Sequence, residues 1–156
     1  MYGYVMNDPI NLVDPPGAGP VPDCVRKIFK TKNYRKYFRN VDLDAVEVVP
    51  DDAVIHRLPS VAAMTPGGQT IYFDRDYYDT HSPEGIARIG HELVHVDQWS
   101  RDPYAFSDYL IYNATHPSAI FNPDLNPYEN EAYTKENAIE RQLIRDFGPG
   151  SSCGCK

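Results

Sequence analysis

Between Ser82 and Pro103 the chain carries its strongest local instruction, one long helix with a marked start and stop. The Ser82 hydroxyl can accept from the first unpaired amides, Pro83 suits the first helical position, and Glu84 favours the positive end of the helix dipole. The spacing predicts a helix running to about Trp99 or Ser100, with Pro103 ending the segment. At about 100° per residue, Ile86, Ile89, Leu93 and Val96 fall on one stripe, while His91 and His95 fall on the opposite face, one turn apart. An apolar stripe facing a histidine face suits a helix lying between a core and a cleft.

The rest of the chain reads as short elements gathered around that helix. Residues 1–23 read as a linker, because Pro9, Pro15, Pro16, Pro20 and Pro22 break regular structure and Gly17 and Gly19 loosen it. Cys24 to Phe38 has Val25, Ile28, Phe29, Tyr34, Tyr37 and Phe38 at helical spacing and predicts a first helix. Its basic residues, from Arg26 to Arg39, read as a solvated helix face. Ala45–Val49 and Ala53–His56 are short β-branched runs. Val61–Met64 and Thr70–Phe73 flank Thr65-Pro66-Gly67-Gly68-Gln69, which predicts a hairpin. After Pro103 a short aromatic helix is expected over Tyr104–Tyr112, then a loop with His116, Pro117 and Pro123. A last helix opens at Asn126-Pro127 and runs to about Phe147 before Gly148-Pro149-Gly150 stops it.

Composition narrows the class of partner. The chain has 156 residues, enough for one modest core, and its twelve tyrosines and fourteen prolines point to a loop-rich α+β domain rather than a plain helix bundle. A net charge of −7 argues against nucleic acid as a partner, since phosphate binding needs a basic face. No apolar run has the length of a membrane span, and the N-terminus lacks the pattern of a signal peptide. The three cysteines, Cys24, Cys153 and Cys155, are an odd number and do not spell a disulfide framework, so Cys153-Gly154-Cys155 reads as a feature of a frayed tail, residues 151–156.

The chemistry is concentrated in His91-Glu92-Leu93-Val94-His95. Two imidazoles four residues apart on a helix can both reach one tetrahedral zinc ion. Glu92 projects at a neighbouring angle, where it can take a proton from a zinc-activated water and pass it to a leaving amine. The His-Glu-x-x-His pattern on a helix is a zinc metallopeptidase signature. The plainer reading, two histidines on an exposed helix face, fits poorly with the cap and the opposed apolar stripe.

A catalytic zinc keeps one position open, so a third protein ligand is expected from elsewhere. Position 101 is Arg101, which excludes a third histidine six residues after the pair. A carboxylate of the last helix is expected instead. Its apolar stripe runs through Tyr128, Ala132, Ile139 and Leu143, and Glu129 sits about 60° from Ala132 against about 100° for Glu131. Glu129 is therefore the first choice and Glu131 the alternative. Tyr133, Tyr128 and His116 are candidates for stabilising charge on the attacked carbonyl. The strand Thr70–Phe73 is a candidate for pairing with an extended peptide substrate.

Two resemblances extend this reading. His91-Glu92-Leu93-Val94-His95-Val96-Asp97-Gln98 followed by Asn126-Pro127-Tyr128-Glu129-Asn130-Glu131-Ala132 resembles zincin-type metallopeptidases with a downstream glutamate ligand. That resemblance implies a zincin-like fold over residues 24–150, with a small sheet packed on the active-site helix and a C-terminal helix. It puts Glu129 in the ligand place and Tyr133 where such enzymes carry an aspartate that orients a ligand histidine. Separately, residues 2–17, Tyr2-Gly3-Tyr4-Val5-Met6-Asn7-Asp8-Pro9-Ile10-Asn11-Leu12-Val13-Asp14-Pro15-Pro16-Gly17, are similar to the segment ending the core of Rhs/YD-repeat proteins. This implies an effector or toxin module, released from an Rhs shell, secreted or delivered into a target cell and matched by an immunity protein. The expectation is then a zinc metallopeptidase toxin acting on a protein or peptide, against a non-catalytic zinc-stabilised binding module or a housekeeping peptidase.

Overall fold

The computed structural model describes residues 17–58, 61–122, 125–150, 153 and 155. The Rhs-like segment, apart from Gly17, and most of the tail lie outside them. Among the described residues the fold is α+β, a small mixed sheet beside helices. In chain order these are β1 (Gly19–Pro20), α1 (Asp23–Lys30), α2 (Lys32–Arg35), β2 (Glu47–Val49), a short 3₁₀ turn (Ile55–Arg57), β3 (Ala63–Met64), β4 (Thr70–Phe73), α3 (Pro83–Arg101), α4 (Ala105–Thr115), α5 (Ser118–Phe121) and α6 (Pro127–Phe147). The sheet order is β1-β2-β4-β3. β2 and β4 run parallel, and the two outer strands are antiparallel to their neighbours. Among the described residues no helix is long and apolar enough to cross a membrane.

The two long helices begin as their caps dictate. Ser82 Oγ accepts from the Gly85 amide at 3.0 Å, and Asn126 Oδ1 accepts from the Tyr128 amide at 3.0 Å. Each is followed by proline at the first position. α3 packs against α6 more extensively than any other pair of elements does. Gly90 permits that approach, because a Cβ there would lie 2.7 Å from Ile139 Cδ1 and 3.4 Å from Phe29 Cζ. Ile86, Ile89 and Leu93 of α3 share one core with Phe29, Phe38, Ile71, Phe73, Ile139 and Leu143. The sheet side of α3 and its α6 side are both covered, so the helix is buried from Pro83 to Gln98 apart from Glu84 and Arg88.

Several sequence expectations change. The first helix breaks at Thr31, whose backbone is extended and whose hydroxyl donates to the Ile28 carbonyl at 2.8 Å. That local bond ends α1 and restarts the chain as α2. Ala53–His56 is not a strand. Asp52 Oδ1 accepts from the Val54 and Ile55 amides, both at 2.9 Å, and this turn overrides β-propensity. The hairpin does form, with Ala63 opposite Phe73 and Met64 opposite Tyr72, and Gly67 and Gly68 supply the positive φ of its turn (86° and 75°). β4, however, is hydrogen-bonded on both sides and has no free edge, so it cannot receive a peptide by edge pairing; β3 is the outer strand. The end of the proline-rich stretch is part of the domain, since Gly19 and Pro20 pair with β2 and Val21 is fully buried. Cys155 is not a loose tail residue, because it forms a disulfide with Cys24 of α1; Cys153 is buried outside that bridge.

Candidate metal centre

α3 brings His91 and His95 to its α6-facing side, and α6 brings Glu129 against both. All three offer ligand atoms within 4.8 Å of one another. His91 and His95 are 6% and 5% exposed, so neither is a surface histidine.

The hydrogen bonds decide which ring atoms face the cluster. His91 Nδ1 lies 2.8 Å from Glu136 Oε2, an atom that can only accept, so Nδ1 carries the hydrogen. His95 Nδ1 lies 2.8 Å from Gln98 Oε1. The orientation of that amide is set on its other side, where Gln98 Nε2 donates to the Tyr128 carbonyl and to Glu131 Oε2, each at 3.0 Å. With both Nδ1 atoms donating, the Nε2 atoms of neutral rings present lone pairs. They stand 3.2 Å apart. Glu129 Oε2 is 3.3 Å from His91 Nε2, and Oε1 is 3.6 Å from His95 Nε2. Electron-rich atoms held so closely repel unless a cation lies among them.

The spacing also fits a metal. Ligand bonds of about 2.0–2.1 Å in a tetrahedron place neighbouring ligand atoms roughly 3.3–3.4 Å apart. The Nε2–Nε2 separation of 3.2 Å and the 3.3 Å from His91 Nε2 to Glu129 Oε2 lie close to that value, while His95 Nε2 faces the other carboxylate oxygen, Oε1, at 3.6 Å. Without a metal, a proton serves. Burial pushes the His91 imidazole down, but the Glu129 and Glu136 carboxylates outweigh it and hold its pKa up to about 10. Burial likewise pushes Glu129 up, while hydrogen bonds and charge from His91 and His95 prevail and hold its carboxyl far below the usual range.

Glu92 is 5% exposed, and its Oε2 accepts from the Thr65 hydroxyl at 2.7 Å. Trp99 stacks on His95 at 5.4 Å and 10°, while its Nε1 donates to the Thr65 carbonyl at 3.0 Å.

The other candidates divide. Glu131 turns outward to Arg101 at 3.0 Å, Lys135 at 2.7 Å and Gln98, and stays outside the converging set. Tyr133 sets its ring edge-on against His91 at 4.6 Å, but the group on His91 Nδ1 is Glu136, two turns after Glu129 rather than one. Tyr128 joins the aromatic wall with Trp99 and Tyr109. His116 is exposed and stacks on Tyr112 at 4.3 Å, bonded to Thr115, so the structure does not bring it to the cluster. A tyrosine not foreseen from the sequence, Tyr109 of α4, donates to Glu129 Oε1 at 2.9 Å. Burial and the Glu129 charge push its pKa up, so it remains a donor. The arrangement is a histidine–carboxylate cluster able to hold a divalent cation, beside a buried glutamate.

A family model described as the eCIS core domain matches residues 31–103. The matched stretch includes the sheet from β2 onward, Thr65, and α3 with His91, Glu92, His95 and Gln98; Glu129 and Glu136 lie beyond it. The chain is thus similar to a domain of extracellular contractile injection systems, which agrees only coarsely with the expected toxin context. Comparison with curated proteins and with solved structures gave no match.

Proposed function

We propose that this domain is a zinc-dependent peptidase of zincin type, acting as an effector in an injection or toxin-delivery setting. The observation that carries the reading is the convergence of His91 Nε2, His95 Nε2 and the Glu129 carboxylate at separations of 3.2, 3.3 and 3.6 Å, with both Nδ1 atoms tied back. An imidazole-rich set of this kind favours zinc among the common divalent ions. When bound, zinc lowers the pKa of water and polarises a carbonyl. His91, His95 and Glu129 hold the ion, while Glu136 and Gln98 fix the tautomers that make this possible. Glu92 takes the proton from the attacking water and delivers it to the leaving amine. Tyr109 and Tyr133, both raised in pKa and both beside the ligands, keep hydroxyl donors near the cluster. The outer edge of β3, next to Thr65, is where an extended peptide can add a strand. The likeness to the eCIS core domain and the Rhs-like sequence ahead of it support the delivery setting.

The test is Glu92→Gln in protein loaded with one equivalent of zinc, assayed on fluorescein-labelled casein. Hydrolysis falls by about 10²–10⁴-fold, with zinc content and melting temperature unchanged. No hydrolysis by the zinc-loaded parent protein would leave a zinc-stabilised binding module as the better reading, and equal hydrolysis by variant and parent would remove Glu92 from the role of base.

A further inference from the structure

We infer that Thr65 is a positioning residue for Glu92, and that the hairpin turn is the element that aims the proposed base; this rests on the peptidase reading above. The β3–β4 turn is not simply a connection passing over α3. Thr65 is 4% exposed although it lies in a loop, and its hydroxyl donates to Glu92 Oε2 at 2.7 Å across a sequence gap of 27 residues. A hydroxyl has one hydrogen, and here it is committed to the carboxylate.

The backbone of the same residue is held as well. Its carbonyl accepts from Trp99 Nε1 at 3.0 Å, and Trp99 lies flat on the ligand His95. Beyond Thr65, the turn rests on α4. A Cβ built on Gly67 would lie 3.6 Å from the Phe106 ring, and Phe106 packs edge-on against Trp99 at 5.6 Å. Thr65 is thus fixed through its side chain to the proposed base and through its backbone to Trp99, the ring stacked on the ligand His95. A hydrogen bond to Oε2 restrains rotation of the carboxylate and leaves Oε1 as the oxygen that Thr65 does not engage. A carboxylate free to rotate would present either oxygen at a range of angles, and small misplacements of a reacting group carry large penalties in rate.

The hydroxyl is the functional part, so the test removes it while conserving shape. Thr65→Val and the smaller Thr65→Ala, loaded with zinc and assayed on labelled casein, are expected to lose about 10- to 100-fold in kcat with KM changed less than about twofold. Thr65→Ser, which keeps the donor, restores kcat to within about threefold. Zinc content and the visible spectrum of cobalt-loaded protein stay as in the parent, which separates aiming of Glu92 from damage to the ligands. Should the valine variant fail to fold, the alanine and serine pair decides. If Glu92→Gln is inactive while both Thr65→Val and Thr65→Ala turn over at the parent rate, the inference is overturned and the peptidase reading stands. If Glu92→Gln matches the parent, the base itself is misassigned and the inference falls with it.

Discussion

Among the described residues two places bring three ligand-type side chains together, and they differ in whether the lone pairs are left facing one another. His91, His95 and Glu129 converge between two buried helices; His56, Asp74 and Asp76 converge in a turn at the end of β4. In the second cluster Asp74 Oδ1 and both ring nitrogens of His56 already have partners. Asp74 Oδ1 faces His56 Nδ1 at 2.9 Å and accepts from the Asp76 amide at 2.9 Å, which closes the turn. Arg75 brings a guanidinium nitrogen within 3.4 Å of His56 Nε2 on the other side of the ring. In the first cluster the outer nitrogens are engaged and the inner ones are aimed at each other. Proximity of ligand-type residues is common; convergence of lone pairs that the fold itself orients is not.

Ligand removal gives the largest effect that can break this contrast. His91→Ala or Glu129→Ala should weaken zinc binding by more than about 100-fold, beyond the range of outer-sphere changes. Asp74→Ala and His56→Ala should leave one equivalent bound at parental affinity. Competition titration against a chromophoric chelator measures both. Two equivalents in the parent, reduced to one by Asp74→Ala, would make the clusters equals.

The groups behind the ligands come next. Glu136→Leu and Gln98→Leu should each weaken zinc binding by about 10–100-fold, since each frees a ring tautomer without removing a ligand. The same titration checks this, and parental affinity in both would mean that the outer bonds do not orient the rings.

The smallest effect is on stability and separates the clusters by pH. In metal-free protein the folded pKa of His91 is raised to about 10, above its unfolded value, so its contribution is full below the unfolded pKa and is lost as pH climbs through about 10. Asp74 is lowered in the fold, chiefly by its bond from the Asp76 amide and then by His56, so its contribution is present at neutral pH and lost in acid. Melting curves across pH should show an alkaline decline that His91→Ala removes and that Asp74→Asn leaves alone. Saturating zinc should abolish that decline, because the ion replaces the proton.

What could be read in the sequence was what acts within a turn or two of chain. Ser82-Pro83 and Asn126-Pro127 mark helix starts by local capping, and the spacing of His91, Glu92 and His95 is a property of one helix. Glu129 could be singled out because its angle on α6 can be reckoned from Ala132. Thr65, Gln98, Tyr109 and Glu136 could not, since each matters only through which element crosses which. Nothing in Thr65-Pro66-Gly67-Gly68 says that the turn lies over Glu92. Glu136 is not marked in the sequence because the zincin resemblance points one turn after Glu129, whereas the ring nitrogen of His91 meets the second turn. Asp52 and Thr31 redirected their segments through side-chain bonds that β-propensity and helical periodicity do not register.

The Cys24–Cys155 bridge encloses a ring of chain with a sequence separation of 131, and every residue of the cluster lies within it. By loop-closure entropy such a ring disfavours the unfolded chain by about 5 kcal/mol. It also alters what a single cut does. A nick in an exposed loop between α3 and α6 opens the ring without separating the fragments, so the two helices stay covalently joined until a thiol reductant severs the bridge.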